Sequence, residues 1–298
     1  MLYTANINAI AAVSLKKTTA IKHSLTGFLT LSVLAGFYIG FGVILSTICA
    51  APVAKLGEFG PQIAKIVAGT TFGIGLSLVY FSGSELFTGY NLLMLNGRFR
   101  GTVTFAEAML GWLWTYIGNL GGSMLFALMI IVTGIYAVDP WKGFLLKIAT
   151  YKMNAGWWEL FFRGIFCNWL VCLASWSSFR CTSDSGKLIM IFWCLFCFVT
   201  AGMEHSVANM TIMTLSNLLP HDPAVISWGK MFGWNLVSVT LGNIVGGSFF
   251  VTFLYWFANY MDEKGAKKME AVKGGAGELP RAGGSPEEIR DVRVKMKS

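Results

Sequence analysis

One long apolar run, residues 188–219, carries Glu204, His205 and Asn209 inside the stretch Ala201-Gly202-Met203-Glu204-His205-Ser206-Val207-Ala208-Asn209-Met210. Ionised groups at mid-membrane depth cost about 2.5–3.5 kcal/mol each on insertion scales, so they are rare there unless they have work to do. Imidazole titrates near neutrality, so His205 can gain or lose a proton under physiological conditions. His23 and His221 are read as loop residues, which leaves His205 as the histidine within an apolar run. Its bland alternative is a neutral, hydrogen-bonded packing group. A second polar interruption, Ser82-Gly83-Ser84-Glu85-Leu86-Phe87-Thr88-Gly89, sits in the run 63–95. Thr88 offers a hydroxyl that could meet His205 across a pore, or could simply cap a helix. Glu85 and Glu204 would repel an anion, and they are expected to accept backbone N–H groups where their helices are interrupted. Asn168 and Asn209 serve either freed backbone or a solute. Phe72, Leu76, Leu86, Phe87 and Phe198 are apolar and near the interruptions; on the residues alone they read as packing.

Other chemistries need residues that are missing from these places. A water channel of the aquaporin type would carry Asn-Pro-Ala at both interruptions. An ammonium channel would want two intramembrane histidines, and a membrane haem protein paired axial ligands. An intramembrane serine protease would set its nucleophile in Gly-x-Ser-Gly, whereas Ser84 is followed by Glu85. Cys194-Leu-Phe-Cys197 has redox or metal spacing, but with no turn, second pair or flanking histidine the six cysteines read as packing residues. No catalytic group, metal or cofactor is expected, and a solute pore with one titratable group remains. A purely structural or lipid-organising membrane protein would have no need of His205.

The elements that must position these residues follow from hydropathy. Of 298 residues, 55% are hydrophobic and 13% charged, against about 25% charged in soluble domains. Apolar runs fall at about 24–50, 63–95, 107–136, 157–179, 188–219 and 228–260, which reads as an all-α polytopic membrane protein of six spans. The second and fifth runs exceed the roughly 20 residues a straight span needs. A helix broken in the membrane, its irregular part facing protein or a water-filled path, resolves the excess. Residues 1–23 read as an amphipathic or loosely ordered lead-in without a cleavable signal peptide, and 137–156 as a polar loop containing Lys142, Lys147 and Lys152. Residues 261–298 read as a charged, glycine-rich, disordered tail. The net charge of +8 lies mostly in loops and tail. It is read as orientation of the chain rather than as a nucleic-acid footprint, and places both termini in the cytoplasm.

The two halves, 24–136 and 157–260, echo each other. Gly118-Asn119-Leu120-Gly121-Gly122-Ser123 resembles Gly242-Asn243-Ile244-Val245-Gly246-Gly247-Ser248, and Gly83-Ser84-Glu85 resembles Gly202-Met203-Glu204. Three crossings per half force the second copy to insert upside down, so inverted three-helix repeats with two broken helices are expected to bring the breaks together near mid-membrane.

These stretches, together with Cys167-Asn168-Trp169-Leu170-Val171-Cys172-Leu173-Ala174 and Glu204-His205-Ser206-Val207-Ala208-Asn209-Met210, resemble the formate/nitrite transporter family over essentially all six spans. The wording around Asn168 and Asn209 looks most like the bacterial nitrite-channel branch. The resemblance implies aquaporin-like protomers in a homopentamer of the inner membrane, each with its own pore. It implies that His205 is the pore histidine and Thr88 its partner. It makes Lys152 a vestibule lysine that attracts anions, Phe72 and Phe198 one constriction, and Leu76, Leu86 and Phe87 the other. The implied solute is nitrite, with formate, hydrosulfide, lactate or acetate as alternatives.

Overall fold

The computed structural model describes residues 3–275, and every regular element among them is helical. The helices are α1 (Thr4–His23), α2 (Leu25–Val53), α3 (Gly60–Phe72), α4 (Ile74–Ser82), α5 (Phe87–Phe99), α6 (Phe105–Val132), α7 (Trp141–Asn154), α8 (Trp157–Ser178), α9 (Asp184–Thr200) and α10 (Ser206–Leu218). A final helical rod starts at Trp228 as α11 (Trp228–Lys230), continues as α12 (Leu236–Val245), and ends as α13 (Leu254–Gly275). Two π-helical stretches, Met231–Asn235 and Gly246–Phe253, interrupt it.

Among the described residues, five helical stretches are long and apolar enough to cross a membrane: Leu25–Val53, Gly60–Ser82, Phe105–Val132, Trp157–Ser178 and Trp228–Ala271. Their outward faces are themselves apolar. Phe41, Phe81, Leu125, Phe166 and Leu241, one on each, are all exposed, where a helix in water would carry charge. The run 188–219 supplies none of these, because it divides into α9 of 17 residues and α10 of 13, both under the roughly 20 residues of a straight span.

Backbones touch where glycines allow it. A Cβ on Gly122 of α6 would lie 2.1 Å from the Val33 carbonyl oxygen of α2, and one on Gly242 of α12 would lie 2.2 Å from the Phe161 carbonyl oxygen of α8. The pairs α2–α6 and α8–α12 are thereby locked in the same manner, one in each half of the chain. The main core lies between them, with Phe72, Leu76, Leu86, Phe87, Phe198 and Val207 in one buried cluster.

Three expectations need correction. Lys152 lies in the last turn of helix α7, not in a loop; α7 buries Leu145, Ala149 and Met153 on one side, a spacing of four that a reading for uninterrupted apolar runs passes over. His23 ends helix α1. The chain beyond residue 260 continues as helix to Gly275, because Glu263 on α13 accepts from Asn259 at 2.8 Å, from Thr4 at 3.1 Å and from Arg100 at 3.5 Å. The rest of the expected disordered tail, 276–298, lies outside the described residues.

Candidate functional site

Two interruptions in helices build the site. At the first, α4 stops at Ser82, Gly83 adopts the left-handed conformation with φ of 80°, and α5 begins at Phe87. At the second, α9 stops at Thr200, Gly202 takes a φ of 73°, and α10 begins at Ser206. A side chain on either glycine would strain that backbone.

Broken helices leave polar backbone groups that hydrocarbon cannot satisfy. One asparagine answers for each interruption. Asn119 accepts the Phe87 N–H at 2.8 Å and donates to the Ser32 and Glu85 carbonyls, both at 2.8 Å. Asn243 accepts the Ser206 N–H at 2.9 Å and donates to the Gly164 and Glu204 carbonyls at 2.8 and 2.9 Å. The Glu85 N–H meets the Leu31 carbonyl at 3.2 Å, and the Glu204 N–H meets the Arg163 carbonyl at 3.3 Å. Position for position the two sets correspond. Neither asparagine was singled out for this task by sequence, although both sit in the repeated glycine-asparagine motif.

The carboxylates do not bind backbone N–H groups as expected. Glu85 pairs with Lys17 of α1 at 2.5 Å and accepts the Tyr90 hydroxyl at 2.8 Å. Glu204 pairs with Lys152 at 2.8 Å and accepts the Asn209 amide at 2.6 Å. The physical reason is burial: at 4% and 1% exposure an ionised carboxylate needs a countercharge more than it needs a neutral donor. The second site closes into a ring, since Asn209 also donates to Asn235 at 2.9 Å and Asn235 donates to the Lys152 carbonyl at 2.8 Å. Asn235 occupies a π-helical turn, a feature common at functional positions. Sequence reasoning gave neither Lys17 nor Asn235 a part in the site. The only signal for Lys17 is that an amphipathic helix precedes each half.

His205 and Thr88 meet where the interruptions converge, with Thr88 Oγ1 3.1 Å from His205 Nε2. The ring's Nδ1 accepts the Ala208 backbone N–H at 3.1 Å and so caps α10. A backbone N–H can only donate, which fixes Nδ1 as an acceptor and puts the ring proton of the neutral tautomer on Nε2, facing Thr88. Phe198 stacks on the imidazole with centroids 6.0 Å apart and planes 14° apart, and meets Phe72 edge-on at 5.8 Å. Phe87 meets Tyr116 edge-on at 5.1 Å. Phe72, Leu76, Leu86, Phe87 and Phe198 are all buried in the cluster that also contains Val207.

Asn168 binds protein rather than presenting a free amide: its Nδ2 donates to the Thr88 carbonyl at 3.2 Å, to Asn91 at 2.8 Å and to the Asn243 carbonyl at 2.7 Å. Asn209 is half committed, because its Oδ1 is buried with no protein partner among the described residues. The hydroxyls of Ser84 and Ser206, one at each interruption, are in the same condition. Among the described residues no cluster of histidine, cysteine or carboxylate side chains could hold a metal ion.

Comparison with known proteins adds an independent line. The profile of the family described as "Formate/nitrite transporter" matches residues 5–257. The nitrite transporter NirC of Salmonella typhimurium is 37% identical over 266 residues, covering 89% of this chain and 95% of that protein. A protein of Methanothermobacter thermautotrophicus described as a probable formate transporter is also 37% identical, over 79% of this chain and 89% of its own length. Among solved structures, an "FNT family ion channel" superposes with a TM-score of 0.79 at 37% identity, covering 86% of this chain and 99% of that one. A "Pentameric formate channel with formate bound" superposes with a TM-score of 0.70 at 28% identity, covering 81% and 99%.

Proposed function

The chain belongs to the formate/nitrite transporter family, a multi-pass membrane protein of a family of transporters and channels, and from that premise we propose that it conducts nitrite across the inner membrane with proton coupling through His205. The observation that carries this reading is the 3.1 Å contact between Thr88 Oγ1 and His205 Nε2, made between two interrupted helices and walled by buried phenyl and leucyl side chains. We read the fold as six crossings in two inverted repeats, with α9 and α10 together forming the fifth, both termini cytoplasmic, and five protomers each with its own pore. The matched duties of Asn119 and Asn243 support the repeats, and the pentameric formate channel of related fold supports the assembly.

The chemistry of passage follows from desolvation. A bare anion pays heavily to enter an apolar constriction, while its neutral conjugate acid pays far less. Phe72 and Phe198 form one such constriction in this reading, and Leu76, Leu86 and Phe87 the other. Lys152 and Lys17 draw the anion towards either mouth, but each is held by a glutamate. Their attraction acts at short range through the remaining ammonium donors rather than as a long-range field.

Between the constrictions the anion meets Thr88. Its hydroxyl oxygen accepts from His205, so the hydroxyl proton is available to nitrite. As nitrite takes that proton, the Thr88 oxygen regains one from Nε2, and the sum is nitrite plus a proton giving nitrous acid. The ring ends this step neutral, rather than as an imidazolate anion, only if Nδ1 has first taken up a proton from water in the path, which makes it imidazolium before the transfer. Nδ1 must then release the Ala208 N–H, so proton uptake breaks one capping hydrogen bond of α10 while the backbone over 201–205 stays in place. The unpartnered polar atoms of Ser84, Ser206 and Asn209 support a hydrated path at both interruptions, because buried polar groups otherwise find partners.

Formate is the second reading, favoured by the archaeal relative at equal identity and by the formate-bound structure. The test is uptake of nitrite and of formate into liposomes holding the purified protein, with the external pH stepped from 8 to 5 in roughly unit steps across the titration range of free imidazole. Nitrite uptake that rises with an inward proton gradient and exceeds formate uptake supports the first reading. Preference for formate selects the second, and indifference to the gradient removes proton coupling from both.

A further inference from the structure

The two interruptions are matched in almost every bond, so the place where they differ is informative. The Leu31 carbonyl holds the Glu85 N–H and the Arg163 carbonyl holds the Glu204 N–H. Ser32 and Gly164, the next residues, supply the carbonyls for Asn119 and Asn243. Leu31 and Arg163 are therefore counterparts. Their side chains could hardly be less alike. Arg163 Nη1 donates to the Gly202 carbonyl at 2.8 Å, within the second interruption itself. Its Nη2 pairs with Glu159 at 2.8 Å. Glu159 in turn accepts the Tyr151 hydroxyl, and the Tyr151 ring lies under the guanidinium at 5.1 Å. One planar fork thus joins α7, α8 and the segment 201–205. Leu31 has no donor to offer, and among the described residues no side chain donates to the Gly83 carbonyl.

We infer that Arg163 is a positioning residue that clamps the second interruption, keeping Glu204 and His205 fixed, whereas the first interruption has no such side-chain clamp on its glycine carbonyl among the described residues. Arg163 touches no transported ion in this account; it acts through Gly202. A charge-assisted bond to a carbonyl is among the stronger hydrogen bonds, and a second bond to Glu159 fixes the fork's plane, which a lysine would not reproduce. The effect on flux rests on the function proposed above, whereas the clamp itself does not.

The experiment is backbone hydrogen exchange on the assembled protein in lipid, paired with nitrite flux. Exchange reports local opening whatever the protein transports. The wild type is expected to exchange more slowly over 201–205 than over 83–86. Arg163→Leu, which installs the residue of the other half, should speed exchange over 201–205 by about tenfold, the scale of one lost charged hydrogen bond, and leave 83–86 unchanged. Arg163→Lys should fall between. Nitrite flux in Arg163→Leu should lose maximal rate by a few fold, with the half-saturating concentration within about twofold, because the mouth lysines remain. Leu31→Arg, which brings a guanidinium to the counterpart position, should slow exchange over 83–86.

Exchange over 201–205 that stays within about twofold in Arg163→Leu overturns the clamp. Faster exchange with unaltered flux and unaltered pH profile overturns the positioning role. Should Arg163→Leu fail to assemble, Glu159→Ala removes the second anchor of the fork without removing the fork and must raise exchange over 201–205; no rise overturns the clamp. Absence of nitrite flux in the wild type would refute the proposed function alone, since the exchange comparison still decides the clamp.

Discussion

At residue scale the decisive facts are pairings across long stretches of sequence. Lys152 and Glu204 are 52 residues apart, and Lys17 and Glu85 are 68 apart. Sequence picked out Glu204, His205 and Thr88 by type and depth, since polar residues in apolar runs stand out, whereas Lys152 entered only through the family resemblance. It could not give the partners, because nothing local in the sequence of α1 or α7 says which carboxylate its lysine meets. That gap explains why a vestibule lysine that attracts anions was expected at Lys152 and a buried pair was found, with side chains 12% and 2% exposed. Removing one member of a buried pair costs about 3–5 kcal/mol, while replacing both by neutral groups of similar shape costs far less. Lys152→Met and Glu204→Gln should therefore each destabilise the folded protein more than the double variant does. Thermal unfolding in detergent checks this, and strict additivity would show that the pair is not coupled. At the constriction, Phe87→Ala should widen the path and let larger carboxylates pass before stability falls. An unchanged selectivity series in an assembled protein would take Phe87 out of the wall.

At element scale the readable features were those with period or punctuation. Long apolar runs located the starts of the membrane-capable helices to within a few residues, though not the ends of the second and last, and glycines beside buried glutamates marked the places where α4–α5 and α9–α10 separate. The helices α1 and α7 were legible only as basic or polar stretches, because each buries a narrow stripe and faces polar surroundings elsewhere. The π-helical turns left no sequence signal at all, since a π turn differs from an α turn by one inserted residue. Asn243 spans three backbone partners at the second interruption. Asn243→Ala should leave several buried polar groups unsatisfied, at about 1–3 kcal/mol each. The expected result is loss of assembled protein on size-exclusion chromatography, with Asn119→Ala behaving alike. The α13 extension makes a further case. Glu263→Ala removes the acceptor shared by Thr4, Asn259 and Arg100, so hydrogen exchange over residues 4–12 should rise about tenfold or more, the scale of a lost charged hydrogen bond. Unchanged exchange there would mean that α1 is held by its apolar face alone.

At the scale of the whole molecule, fold class and family were legible because hydropathy and several ordered motifs agree, and the comparisons with known proteins establish the family. Assembly was not legible from the residues of one chain: a lipid-facing apolar surface and a subunit-facing one look alike in composition, so the pentamer enters through kinship with a pentameric channel. The solute is less legible still, since nitrite and formate share charge and size and differ in few contacts. What the architecture does single out is one imidazole between two interrupted helices, with its Nε2 on Thr88 and its Nδ1 on Ala208. The most direct test is nitrite flux recorded together with internal pH in liposomes, comparing wild type with His205→Asn. Asparagine can still accept the Ala208 N–H and cap α10 but cannot titrate. The account predicts that the variant assembles and loses the proton that accompanies nitrite, whatever anion leak remains. One proton still moving with each nitrite at the wild-type rate would contradict it.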